Sequence, residues 1–302
     1  AEEVSSSFVP ALDRGVRLVT TEVSQVPLDG VAALMEAAAA RRIPTLLDVD
    51  VPPSIAAGAA KLCAEPAEVL ALAKTPTVLK TTRNGAMELL ALAGDKKAPA
   101  KALGALATQL HKVLDGVRLV AVTDGEHGAA LSALGGATVE QKPPSSGVKD
   151  DQLDTTGAGD AFFGGLIAVL WQRGLGDESA KTAPGTPEPR GLHSLPTDKA
   201  ALTHILRVAS AAGTAGCTYL GGLPPTDGTA RGKVIALAGK HTNAEAWLPP
   251  LASETREAAT DGNAAAVDGG AACTDGDAVR TSLAADATTA KSLQEAPDLA
   301  LA

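Results

Sequence analysis

From Val16 to Leu237, short apolar runs alternate with stretches patterned as helices, and this alternation is what most restricts the folds open to the chain. The apolar runs at 16–19, 44–51, 77–80 and 117–123 read as strands. Residues 27–42, 65–73, 85–92 and 101–114 read as the helices between them. Strands separated by helices imply βαβ units and hence a parallel sheet covered on both faces. Right-handed crossovers then bring the strands' C-terminal ends to one edge, where α/β proteins collect ligands. Residues 129–134 and 138–140 read as a hairpin following the last of these strands.

Only 2% of the residues are aromatic although 45% are hydrophobic, so the core has to be built from Ala, Val and Leu. A net charge of −9 argues against nucleic acid or an anionic membrane surface as a generic partner. No run of about 18 apolar residues is present to span a bilayer. Cys63, Cys217 and Cys273 are far apart and odd in number, which reads as buried, reduced thiols in a non-oxidising compartment. Residues 177–196 break the rhythm with Pro, Gly, Ser and charge and read as a loop insertion. Residues 240–302 are rich in Ala, Thr, Asp and Gly without periodicity and read as a disordered tail, leaving 1–239 as the folded domain.

The chemistry concentrates in Asp154-Thr155-Thr156-Gly157-Ala158-Gly159-Asp160-Ala161-Phe162-Phe163-Gly164-Gly165. A Gly-Ala-Gly turn opens an apolar helix over 161–171, and small residues let the backbone come close to a ligand. The helix's first N–H groups and its dipole favour a phosphate or a developing anion there. Asp160, at the mouth of that site, can accept the proton of a hydroxyl as its oxygen attacks phosphorus. Taken alone, an Asp beside a Gly-rich turn is more simply a helix cap.

The whole string resembles the second signature of the ribokinase, or PfkB, carbohydrate kinase family, D-T-x-G-A-G-D-x-F. That resemblance implies a ribokinase-like three-layer α/β/α sandwich with a mostly parallel central sheet. It implies Asp160 as the general base, with the amides of Gly157, Ala158 and Gly159 as the anion hole. It also implies Asp154 and Thr156 near a monovalent cation, usually K+. Val122-Thr123-Asp124-Gly125-Glu126-His127-Gly128-Ala129 looks like the family's V-T-x-G-x-x-G-A. Thr123, Gly125 and Gly128 are thereby implied at the nucleotide, and His127 as an exposed turn residue. Ala209 to Thr218 resembles the helix near the adenine, with Ser210 where Asn is usual and with Gly213 retained.

The chain departs from the family pattern in three places. Val16 already matches the middle of the fold, so the N-terminal portion and the β lid over the sugar are expected to be missing. Asp48-Val49-Asp50-Val51-Pro52 stands where D-x-N-x-R is common, so Asp48 and Asp50 either face a sugar hydroxyl or cap the sheet edge. Where N-x-x-E should orient magnesium-bound water, Asn84 and Glu88 are four apart, a spacing that shares one helix face.

The implied activity is ATP- and Mg2+-dependent phosphoryl transfer to a hydroxyl of a small sugar or polyol. The metal's protein ligands are left unassigned. A catalytically inactive kinase-like scaffold subunit and a nucleoside kinase stay open as alternatives. Expected partners are the small substrate and either a second copy in a homodimer or, for a scaffold, a protein complex. The expected location is cytoplasmic, or plastid in an alga, and not secreted.

Overall fold

The computed structural model describes residues 7–95, 100–149, 152–177, 189–222, 224–225 and 227–239. The expected tail at 240–302, most of the expected insertion at 177–196, and Cys273 lie outside the described residues. Cys63 and Cys217 are free thiols, but each is half-buried rather than buried.

Six strands form one sheet in chain order: β1 Val19–Glu22, β2 Thr45–Val49, β3 Val78–Thr82, β4 Leu119–Thr123, β5 Ala129–Ala133 and β6 Thr138–Gln141. The first four run parallel; β5 returns antiparallel on β4, and β6 on β5. β1 lies three residues later than its apolar run suggests, because pairing starts where the Val19 N–H donates to the Pro44 carbonyl. Two residues before Val19, Arg17 stacks its guanidinium over Trp171. β3 continues past its apolar segment to Thr82, which is still the register partner of Thr123, where β4 ends as its sequence run does.

The helices are α1 Leu28–Ala40, α2 Pro53–Ala57, α3 Pro66–Ala73, α4 Arg83–Leu92, α5 Leu103–Val113, α6 Ala158–Gln172, α7 Lys199–Gly216 and α8 Thr229–Ala238. Strand side chains alternate between the faces of the sheet. Leu47, Leu79, Val120 and Val122 pack with α1, α3, α4 and α5. Leu46, Val78, Leu119 and Ala121 pack with α6, α7 and α8. Apolar burial on both faces is the mark of a parallel sheet sandwiched by crossover helices. By the same period of two, Asp48 and Lys80, register partners on β2 and β3, fall on the α6 side near the strands' C-terminal ends.

The approach of α7 to α6 depends on small residues. A Cβ on Gly165 would come within 2.7 Å of the Ala212 methyl, and one on Gly213 within 3.2 Å of the Ala158 carbonyl. Gly213, implied by resemblance at the nucleotide, therefore acts in the described structure as the residue that lets α7 lie against the first turn of α6.

One buried polar chain crosses from α5 to the hairpin. The His111 Nε2–H donates to the Val117 carbonyl at 2.8 Å, so Nδ1, 3.1 Å from Ser132 Oγ, is the acceptor. Ser132 in turn accepts from Thr138, and Thr138 meets Thr108 at 2.9 Å. Burial pushes the His111 pKa below its usual value. The folded chain thus keeps this imidazole neutral, whereas the unfolded chain protonates it once pH drops below about 6.5. We expect the melting temperature to fall between about pH 7.5 and about pH 5.5, and His111→Gln to flatten that slope in parallel thermal melts.

Candidate active site

The glycine turn occupies the C-terminal edge of the sheet. Gly157 adopts φ +71° and is the residue before the first turn of α6, so the helix begins at Ala158, three residues earlier than its apolar pattern. Asp160 accordingly sits inside the first turn and is not the cap; no side-chain cap hydrogen bond is made there. Its carboxylate is exposed and makes no hydrogen bond or ion pair among the described residues. The simpler reading of Asp160 as a helix cap is thus corrected by the geometry. Of the three amides in the turn, Ala158 N–H already donates to the Thr155 carbonyl at 3.1 Å. Those of Gly157 and Gly159 belong to the helix's N-terminal end, where the first N–H groups have no intrahelical acceptor and carry the positive pole of the dipole.

A second loop braces this turn from outside. Asp154 accepts from the Thr156 N–H at 2.9 Å and from the Gly221 N–H at 2.7 Å. Its hydrogen bonds with Thr156, then that with Gly221, hold its carboxyl below the usual carboxylate range. Gly222 has φ +70°, and a Cβ there would lie 2.8 Å from the Thr156 carbonyl. Both facts demand glycine. Gly222→Ala should cost about 1–3 kcal/mol of stability, read by denaturant unfolding, because it forces a left-handed backbone and a backbone clash together.

Beneath the turn lies a feature that the sequence did not announce. Lys80, in the middle of β3, has a side chain 1% exposed; its ammonium donates to Asp48 Oδ2 at 2.7 Å and to Asp50 Oδ1 at 3.3 Å. Asp48 is equally buried, which removes it from any direct contact with a sugar hydroxyl in this conformation. Asp50, 44% exposed, keeps its place at the rim. Burial pushes the Asp48 carboxyl up to about 7, outweighing the attraction of Lys80; the charges of Asp50 and Asp160 add to the rise. Asp48 Oδ1 has no hydrogen-bond partner, so this carboxyl is under-satisfied for an ion.

At the other strands' ends, Thr123 closes β4 and Gly125 and Gly128 shape the loop after it, with φ +52° and +110°. A Cβ on Gly128 would fall 2.2 Å from the Gln141 carbonyl, so this loop closes directly onto β6. His127 is exposed, as the turn pattern implies. Asp124, between the glycine and the strand, holds Arg83 at 2.5 Å. Ser210 is buried in α7 and its hydroxyl has no partner.

The pair expected to handle magnesium-bound water is not assembled. Asn84 is exposed, and Glu88 instead accepts from the Ser54 backbone N–H and hydroxyl, both at 2.8 Å. At the three-residue spacing the end of β3 and the helix after it offer Thr82 and Gly85, and the Thr82 hydroxyl accepts the Gly85 N–H as a helix cap. A side chain at 85 would run into Thr81 Oγ1, 2.4 Å from an ideal Cβ. Among the described residues no three His, Cys, Asp or Glu side chains gather as a metal site. A magnesium ion at this edge would need most of its ligands from water or from a bound phosphate.

An exposed carboxylate beside free amides at a helix N-terminus, on the C-terminal edge of a mostly parallel sheet, defines an α/β protein of ribokinase-like fold. The chain belongs to the pfkB family of carbohydrate kinases, whose profile matches residues 19–226. Among solved structures it is similar to a putative sugar kinase from Clostridium perfringens, at 16% identity and a TM-score of 0.50, covering 77% of this chain and 58% of that one. It is also similar to Arabidopsis thaliana ribokinase complexed with ribose and ATP, at 19% identity and a TM-score of 0.49, covering 76% and 58%. Ribokinase from Giardia lamblia matches at 19% identity and a TM-score of 0.48, covering 76% and 62%. At such identities the likeness is one of fold, and the chain spans less than two thirds of the length of each of these relatives. No curated protein sequence matches. No helix among the described residues is long and apolar enough to cross a membrane.

Proposed function

We propose that this chain carries the phosphoryl-transfer half of an ATP-dependent kinase acting on a hydroxyl of a small sugar or related polyol. The observation that carries this reading is Asp160: an exposed carboxylate, unpartnered among the described residues, in the first turn of a helix whose N-terminus favours anions. In the transfer, Asp160 takes the acceptor's hydroxyl proton while that oxygen bonds to the γ-phosphorus and the bond to the bridging β–γ oxygen breaks, releasing ADP. The amides of Gly157 and Gly159 face the phosphoryl oxygens, where fixed donors act most strongly. Thr123, Gly125 and Gly128 lie along the nucleotide, and Ser210 near its base. Asp50, at the rim, accepts from an acceptor hydroxyl. Magnesium, when bound to the nucleotide, offsets the charge of its phosphates; a K+ ion near Asp154 and Thr156 would tighten a loop that Asp154 already ties to Gly221.

One observation favours a second reading, a scaffold subunit that keeps the fold without turnover: the Thr82–Gly85 turn presents no carboxylate toward the phosphates. ADP release by the full-length protein across a panel of sugars, polyols and nucleosides separates the two. Acceptor-dependent release supports the kinase and names its acceptor class; a folded protein that releases no ADP with any acceptor of the panel sinks it.

A further inference from the structure

Lys80 has no solvent to face. On its side of the sheet the neighbouring strand residues Leu46, Val78 and Ala121 are apolar core, so packing alone gives no reason for a charge at that position. Burying an ammonium costs several kcal/mol, offset here by the two carboxylates that hold it at 2.7 and 3.3 Å. Directly above the ammonium is the first turn of α6. A Cβ built on Gly159 would fall 3.2 Å from Lys80 Nζ and 3.6 Å from Asp50 Oδ1. Gly159 lies within the helix and has no positive φ, so its backbone does not require glycine. The space its missing side chain leaves is taken by the ammonium. The next residue is Asp160, near enough for its charge to act on Asp48.

We propose that Lys80 is a positioning residue for the transfer site: pinned by Asp48 and Asp50, its ammonium seats the Gly159 turn and thereby fixes where Asp160 and the turn's amides stand. The proposal rests on the kinase reading for its purpose, but the contact itself is tested without turnover. The Asp48→Asn/Lys80→Met variant removes both buried charges and the Nζ atom while keeping the side-chain shapes. Gly159→Ala should lower the melting temperature by several degrees in the wild-type chain and by less than half as much in that variant. Equal losses in both backgrounds overturn the proposal.

With an acceptor in hand, Asp48→Asn/Lys80→Met should lower kcat about 100-fold while leaving KM for ATP within about threefold, as misplacement of reacting groups does. An unchanged kcat, or a loss carried in KM, also overturns it. Gly159→Ala alone is the second variant, needed if the double variant does not fold. It should lower kcat with KM little changed, and full activity counts against the seat. If the wild-type protein turns over no acceptor, the kinase reading falls, and the melting comparison still decides whether Lys80 places the turn.

Discussion

Asp160→Asn is expected to lower acceptor-dependent ADP release by about a thousandfold, within the range that a positioned general base contributes. The amide keeps the size and exposure of the carboxylate but cannot take the acceptor's proton. Because Asp160 neither caps α6 nor pairs with another described group, the substitution removes no structural bond. Its melting temperature should therefore match the wild type. Nucleotide affinity, measured by calorimetry, should hold or tighten slightly, since one negative charge leaves the mouth of an anion site. A variant as active as the wild type would remove Asp160 from the chemistry.

Lys80→Met alone should be among the most destabilising single changes in the molecule, costing roughly 3–5 kcal/mol near pH 8, because it leaves the buried carboxyl of Asp48 without its cation. The cost should depend on pH in a defined sense. Asp48 holds its proton up to about 7 in the folded chain against a usual 3.8, so its contribution to stability is full below that lower value and fades as pH rises through 7. Without Lys80 the carboxyl becomes harder still to ionise, and the deficit relative to wild type should shrink on acidification to about pH 5. Adding Asp48→Asn should recover most of the loss at alkaline pH. Chemical denaturation at the two pH values tests this, and a deficit independent of pH would show that Asp48 is not the group left stranded.

Much of the fold was legible because each element carries its own period. The helices at Leu28–Ala40 and Pro66–Ala73 and the hairpin Ala129–Ala133 with Thr138–Gln141 match their sequence signals to within a few residues. The turn at Gly157 was legible too, since its chemistry is written in consecutive residues. What escaped was set by register between distant segments. A lysine in Val78-Leu79-Lys80-Thr81-Thr82 looks like the polar face of a strand until Asp48 is seen as its cross-strand partner. Asp48 and Asp50 looked equivalent and share one face by alternation, yet Asp48 lies inside β2 and is buried while Asp50, just past the strand's end, stays at the rim. Asn84 and Glu88 do share a helix, but Ser54, in a segment with no local link to them, captures the glutamate. Side-chain fate of that kind is decided by tertiary packing and carries no local signature.

The sequential order of the six strands has a consequence for synthesis. Each strand from β2 onward pairs with the one made just before it, so the sheet can grow as the chain leaves the ribosome, without waiting for distant partners. The helices that cover its second face come last. Until α6 and α7 emerge, Leu46, Val78, Leu119 and Leu131 present a nascent apolar surface to the cell, and a stalled or truncated product would display it permanently. The same late helix delivers Asp160, so a ribosome-bound intermediate exposing that surface lacks the proposed base, and arrival of that residue coincides with concealment of the surface that would draw chaperones.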